Sequence, residues 1–535
     1  MKKTGILLSI LTAFFILISM GCQTRDSSDK TGKEGAAMAK IKIGWATADI
    51  TPDKPVLLQG QFHARVSEGV MDPITATVLA VESVDGPSSE KAIIISCDLV
   101  SINDKLRDEV RKLLTEALPE LKPEQIILNA THTHTAPVCG PDHDSKSIYG
   151  VELDALSPLA SLEFVSGRVV KAAEQAWKGR NPGGISYGLG MAVVGHNRLT
   201  VDMNGKSTMY KRTNTPDFSH IEGYEDHSVN LLYTWDKNSK LTGIIINVPS
   251  PSQVSEGEYL ISADYWHDTR LEVRQRLGKD LFILPQCSAA GDQSPHIMIG
   301  EKAEARMQSL MLPDSIKTGR NSPGHRKQIA IRIADAVTSV FPYMKANIEW
   351  NPEFAHSIRK VELSRRLISM DDVNNALIEA EVHRKKYDQM LLDINADPSI
   401  KNKPNWYRDI TIEYTLTRRG KSVQDRYELE KKQPKMPVEI HVLRFGDAAI
   451  ATNPFELYLD YGLRIKGRSP AVQTFIVQLT GSGSYLPVSR SVAGGSYGAV
   501  PASTLLGPEG GQELVENTLD MIGSLWPEKI SSHNQ

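Results

Sequence analysis

Residues 41–50 alternate apolar and polar positions and then meet Thr51-Pro52, the pattern of a strand closing in a turn. Segments 75–84 and 92–97 are β-branched and apolar, which predicts buried strands. From 104 to 118, Leu and Val recur at helical spacing with charges between them. A short strand over 125–129 and a helix over 162–177 follow. Further strands are expected at 228–235, 241–248, 281–284, 438–445, 448–452 and 474–479, and helices at 266–277, 328–341 and 513–525. Segment 370–394 is charged and amphipathic, a helix on the outside of the body. Segment 401–435 is polar and reads as a solvated face. Strand–helix–strand order predicts an α/β class, mixed sheets with flanking helices. One contiguous catalytic body over 41–535 is expected, although the length also allows two domains.

The first 22 residues carry a different pattern. Lys2 and Lys3 precede an apolar run over 5–20, short for a spanning helix and right for a secretory core segment. The run ends in Ser19-Met20-Gly21-Cys22, which is similar to a bacterial lipoprotein signal in which the cysteine is acylated. An ordinary signal peptide or an uncleaved anchor fits the same residues. Residues 23–40 are rich in Ser, Asp, Lys and Gly and read as a flexible tether. The expected location is the cell envelope, with a lipid on Cys22 holding the chain to a membrane.

Composition narrows the picture a little. The chain has 535 residues, 40% hydrophobic and 23% charged, which is ordinary for a globular protein. Its formal net charge of −3 argues against nucleic acid as a partner, which would need a basic footprint. Cys97, Cys139 and Cys287 are far apart and form no CxxC, so a disulfide framework and a thiolate metal site are both disfavoured.

Four segments could carry chemistry. The first is Thr131-His132-Thr133-His134-Thr135, directly after an apolar strand. In an extended segment, residues two apart face the same way, so both imidazoles could point into one pocket and bind a metal. Two hydrogen-bonded surface histidines fit the motif equally well. The second is Gly291-Asp292-Gln293-Ser294-Pro295-His296, where Gly291 allows a tight turn that could present Ser294 and backbone N–H groups to an oxyanion. Asp292 capping a turn is the plainer reading. Ser294 lacks the glycines of a GxSxG elbow. The third is Glu456 in Asn453-Pro454-Phe455-Glu456, a carboxylate at a strand end that could bind metal, act as a base, or simply be solvated. The fourth is a series of glycine-rich loops, 481–487, 494–498 and 507–511, suited to close backbone packing near a ligand or near one another.

In this order the segments resemble the neutral ceramidases, the neutral/alkaline non-lysosomal ceramidase family. The resemblance starts at Gly44-Trp45-Ala46-Thr47-Ala48-Asp49-Ile50-Thr51-Pro52 and runs through Ser96-Cys97-Asp98-Leu99, the His132/His134 motif, Asn197-Arg198, the Gly291–Pro295 turn, Glu456, Tyr485 and Gly507-Pro508, about 41 to 512. It implies a zinc-dependent hydrolase of the amide of ceramide or another N-acyl compound, a lipid or small-molecule substrate. By the same resemblance His132, Glu456 and Tyr485 would be metal ligands, His134 and Arg198 would orient substrate and stabilise charge, and Ser294 would be the nucleophile or a key polar group. Two departures stand out. The family has a further ligand histidine in a segment that here reads Asn247-Val248-Pro249-Ser250-Pro251-Ser252-Gln253. His267 is the expected replacement, with Asp264 and His227 as alternatives. The family's C-terminal immunoglobulin-like domain is also expected to be absent. A hydrolase of an ester or glycan-derived substrate, or a non-catalytic surface lipoprotein that binds such ligands, are the competing readings.

Overall fold

The computed structural model describes residues 39–84 and 89–527; the signal-like and tether segments up to residue 38 lie outside them. The chain opens with β1 (Ile41–Asp49), which pairs antiparallel with β2 (Thr75–Ser83) along its whole length. β2 pairs antiparallel with β3 (Lys91–Cys97). Helix α1 (Asp104–Ala117) then crosses over to β4 (Ile126–Ala130), parallel to β3. α1 begins where Asn103 caps the Leu106 N–H, and its Leu106, Val110 and Leu114 stripe is buried. Helix α2 (Pro158–Lys178) lies beside α1 and covers β1 and β2.

Two long antiparallel strands, β5 (Asn181–Met191) and β6 (Ser228–Asp236), continue the sheet on the other side of β1. β7 (Leu241–Val248) follows, then α3 (Tyr265–Leu277), then β8 (Phe282–Cys287) parallel to β7. The sheet order is β8-β7-β6-β5-β1-β2-β3-β4. It therefore holds two βαβ units, one at each edge. Helix α4 (Pro323–Ala346) packs on α3 and on β5.

A second sheet is built from β9 (Phe354–Ser364) and, after the helical hairpin of α5 (Met370–Ala396) and α6 (Arg408–Lys432), β10 (Lys435–Phe445) and β11 (Ala448–Thr452). Helix α7 (Leu459–Arg468) then leads to β12 (Gln473–Val477), parallel to β11. Helix α8 (Pro508–Leu525) closes the described chain.

The layers follow from which faces are apolar. Leu79, Ile94, Ile245 and Leu284 of the large sheet meet Leu443, Phe445, Ile450 and Phe475 of the small one. The outer face of the large sheet is covered by α1 to α4, and that of the small sheet by α7 and α8. The result is a four-layer helix–sheet–sheet–helix body. Each fully buried Ile, Leu or Phe in the middle layer contributes about 1.5–3 kcal/mol. Cys97, Cys139 and Cys287 are buried free thiols. Among the described residues no helix is long and apolar enough to cross a membrane.

The mixed α/β expectation holds, with three differences in detail. β5 and β9 were not expected as strands. The segment expected to be merely a solvated face, 401–435, contains α6, whose buried stripe of Ile410, Thr417, Gly420 and Val423 is narrow.

Candidate active site

Three parallel strand pairs, β3/β4, β7/β8 and β11/β12, send the loops after their carboxyl ends to one place. Open α/β sheets bind ligands at such ends. The loop after β4 carries His132 and His134. His132 has a left-handed backbone, φ 64°, which turns its ring back toward the loop after β3. There its Nδ1–H donates to Val100 O at 2.7 Å. That bond fixes the tautomer and leaves the Nε2 lone pair facing the site. Nε2 of His134 lies 3.3 Å from Nε2 of His132. The two imidazoles therefore do converge. The left-handed residue brings this about, and strand alternation does not.

Glu456, after β11, pairs with Tyr485, after β12, in a short parallel bridge. The Glu456 carboxylate is 3.6 Å from His132 Nε2. Arg198 reaches across the site: Nη2 donates to Tyr485 OH at 3.2 Å and to Gly291 O at 2.9 Å, and Nη1 donates to Tyr210 OH at 3.2 Å. Tyr210 OH donates in turn to Ser294 Oγ at 3.2 Å, which also accepts the His296 N–H at 3.1 Å. His296 Nε2 donates to Glu256 at 2.7 Å, and the other Glu256 oxygen is 3.5 Å from His134 Nδ1. Gln253 Nε2 donates to His134 Nε2 at 2.7 Å. The contacts run in a closed circuit, from His132 through Glu256, Ser294, Arg198 and Glu456 back to His132.

Burial sets the charges. It lowers the His132 pKa, with Glu456 opposing, and lowers that of His134 well below the usual value, with His132 and Arg65 adding to the effect. Both rings are neutral at pH 7. Burial, then the Glu456 charge, hold the Tyr485 phenol well above its usual range. Burial also pushes the Asp292 carboxyl up to about 6. Asp292 acts as a cap, accepting from Leu459 N–H and from Asn197 Nδ2. Gly291 beside it has the Glu456 carbonyl 2.3 Å from where a Cβ would sit, so the turn admits only glycine there.

The structure thus brings together His132, His134, Arg198, Ser294, Glu456 and Tyr485. It leaves His267 apart: that residue stands in the first turn of α3, and among the described residues no side-chain hydrogen bond or ion pair joins it to the cluster. Asp264 caps the Ser255 and Tyr265 N–H groups, and His227 pairs with Glu225. Gln253, in the segment that departs from the family pattern, is the side chain that reaches His134. Three participants carried little sequence signal. His296 stood two residues after Ser294 in a motif that drew attention to Gly291, Asp292 and Ser294. Glu256 and Tyr210 lie in loops without periodicity.

To a divalent cation the cluster offers the free nitrogen of His132 and the oxygens of Glu456 and Tyr485. Among the described residues no group of three or more His, Cys, Asp or Glu holds such a site alone, so the phenol has to be counted. The set fits a three-donor site with an open position, the arrangement of catalytic zinc.

No protein-family model matches the sequence, and no curated protein matches it. Among solved structures, the neutral ceramidase from Pseudomonas aeruginosa superposes with a TM-score of 0.62 at 17% identity, covering 92% of this chain and 75% of that one. A ceramidase complexed with C2 gives a TM-score of 0.64 at 16% identity, covering 92% and 76%. The fold is that of the neutral ceramidases.

Proposed function

We propose that this chain is a zinc-dependent hydrolase that cleaves the amide bond of ceramide or another N-acyl compound. The observation that carries the reading is the pair of neutral imidazoles, 3.3 Å apart at Nε2, beside Glu456, Tyr485 and Arg198 in a neutral-ceramidase fold. His132, Glu456 and Tyr485 would hold the metal. Lewis acidity at the scissile carbonyl is what a zinc ion there supplies when bound. The chain's own groups do the rest. Arg198 holds the Tyr485 phenol in place and puts positive charge beside the carbonyl oxygen. Tyr210 O–H and the His296 N–H both point at Ser294 Oγ and stabilise negative charge on it. His134, neutral and next to His132, is the group that takes up at Nε2 the proton lost by the attacking hydroxyl, of Ser294 or of water, and returns it to the leaving amine nitrogen. Glu256 beside Nδ1 steadies the imidazolium that results, as a buried carboxylate does for a catalytic histidine.

The test is elemental analysis and turnover of a fluorogenic ceramide, wild type against His132→Ala. About one zinc per chain, lost with activity in a folded variant, upholds the reading. A metal-free, inactive wild type after zinc loading overturns it. One observation favours a binding protein without turnover: Gln253 donates to the nitrogen that His134 would use as a base. Restored or raised turnover in Gln253→Ala would exclude that alternative. We also propose export and lipid anchoring at Cys22, resting on the apolar run and the Gly21-Cys22 pair. Mass spectrometry of the mature N-terminus checks it.

A further inference from the structure

Behind Tyr210 lies a cavity of about 530 Å³, large enough for part of a substrate. Its walls come from 210–214 and from 297–302, tied together where Thr213 Oγ1 donates to Met298 O at 2.9 Å. Tyr210 is the partition between this cavity and the circuit. Its hydroxyl is bonded to Ser294 Oγ, its ring meets the His296 ring edge-on at 5.3 Å, and its backbone is held at φ 60°. Non-glycine residues held in that region are strained and cluster at functional sites.

The lining is cationic. Lys211, Arg212, Lys302 and Arg320 face the cavity against one carboxylate, Glu301. Lys211 is neutralised by Asp217 at 2.5 Å. Among the described residues, Arg212, Lys302 and Arg320 have no carboxylate within ion-pair distance, and the half-buried Arg320 keeps an Nε–H that is buried without an acceptor. A buried donor without a partner is costly, and a guanidinium fork matches a carboxylate, sulfonate or phosphate. The chain as a whole carries a formal charge of −3, so three unpaired cations at one cavity are no reflection of its composition.

We infer that this cavity takes an anionic group of the substrate, and that the preferred substrates are N-acyl compounds bearing a carboxylate, sulfonate or phosphate rather than neutral ones. The inference rests on the hydrolase reading and names its substrate class. The cavity borders the circuit at Tyr210, so an anion held by Arg212, Lys302 and Arg320 anchors a molecule whose amide reaches past the Tyr210 side chain toward Ser294.

The experiment compares two soluble substrates of equal acyl length, N-octanoyl taurine and N-octanoyl ethanolamine, by amine release at low ionic strength. Three screened charge contacts predict a preference of roughly tenfold in kcat/KM for the taurine compound. Salt at 0.5 M compresses that preference. Arg212→Ala/Lys302→Ala lowers the taurine compound's kcat/KM to that of the neutral compound. Equal kcat/KM for the two substrates, or a preference that survives in the double variant, overturns the inference and leaves the hydrolase intact. Titration calorimetry separates the two failures. N-octanoyl taurine that binds wild type, is not cleaved, and loses affinity in the double variant upholds the cavity while the hydrolase reading falls. Sulfate that binds here with no discrimination between the substrates overturns the inference, because the cavity then serves a free anion.

Discussion

Gly60 tests the circuit from a residue that forms no hydrogen bond in it. Its φ is 110°, and a Cβ built on it falls 2.5 Å from Cγ and 2.6 Å from Nδ1 of His134. Carbon atoms in contact sit about 3.5 Å apart, so Gly60→Ala must move the imidazole by about 1 Å or move its own backbone. The backbone route is also disfavoured, since a left-handed alanine costs about 1–2 kcal/mol. A 1 Å shift breaks the 2.7 Å bond from Gln253 and changes the 3.3 Å approach to His132. Misplacing a reacting group by that distance lowers a rate by about a hundredfold. The assay is kcat on a fluorogenic N-acyl substrate together with thermal unfolding. Gly257→Ala is the control, because nothing lies within 4 Å of its Cβ. Expected is a loss of about two orders of magnitude in kcat for Gly60→Ala, a modest drop in Tm, and no change in the control. Wild-type kcat in a folded Gly60→Ala protein would refute the placing of His134 at the chemistry.

Arg270 binds Asp98 through two bonds of 2.9 and 3.0 Å, both groups buried, so Arg270→Met strands a carboxylate and lowers stability by about 3–5 kcal/mol in urea titration. Glu256→Gln removes the charge beside His134 Nδ1 and lowers kcat by about a hundredfold, with KM and Tm nearly unchanged. Unchanged kcat would strip Glu256 of its role. Stability also depends on pH. Burial lowers His325 and His356 to about 3, so between pH 6.5 and 3 the unfolded chain binds two protons that the native chain refuses, and stability falls as pH falls. Asp292, raised by burial to about 6, works the other way between pH 6 and 3.8. His63, lowered to about 4, and the buried His132, His134 and His441 act with the first two histidines, so the histidines outweigh Asp292 and unfolding free energy drops as pH falls through 5, read from denaturant midpoints. A flat profile there would contradict the burial of these rings.

The strands that were legible in the sequence are those whose burial shows as apolar residues. β7 was expected and found at 241–248, and β1 and β2 end within a residue of expectation. β5 was hidden by its glycines. A Cβ at Gly184, Gly188 or Gly190 would strike Ile348, Val340 or Ala336 at 2.7 to 2.9 Å. They are glycine because α4 and the segment after it lie directly on that strand. The same reasoning applies to α6. Gly420 permits close approach to Ala376 and Ala380 of α5, so two polar helices pack through small residues rather than through a broad apolar face. Tertiary contact decided both elements, and a local window cannot see it.

The site was legible where its residues sit beside strands and obscure where they do not. His132, Ser294, Glu456 and Tyr485 follow apolar strands or glycine turns, so their order along the chain could be read. Glu256 and Tyr210 enter through loops whose position depends on the whole body. The three parallel pairs explain both outcomes. Each pair ends in a loop aimed at the same point: β3/β4 supplies Val100, His132 and His134, β7/β8 supplies Gln253, Glu256 and Ser294, and β11/β12 supplies Glu456 and Tyr485. A change in one loop can therefore be answered in the same loop without disturbing the others. After β7 the chain carries Pro249 and Ser250 in the segment where a histidine was expected, and Ser250 is buried with its hydroxyl turned to Pro251 O. A few residues on, Gln253 extends to His134. The departure therefore alters what lies beside His134 and leaves His132, Glu456 and Tyr485 in contact. On this geometry the β7 loop decides what lies beside His134, while the loops after β4, β11 and β12 set the other contacts of the circuit.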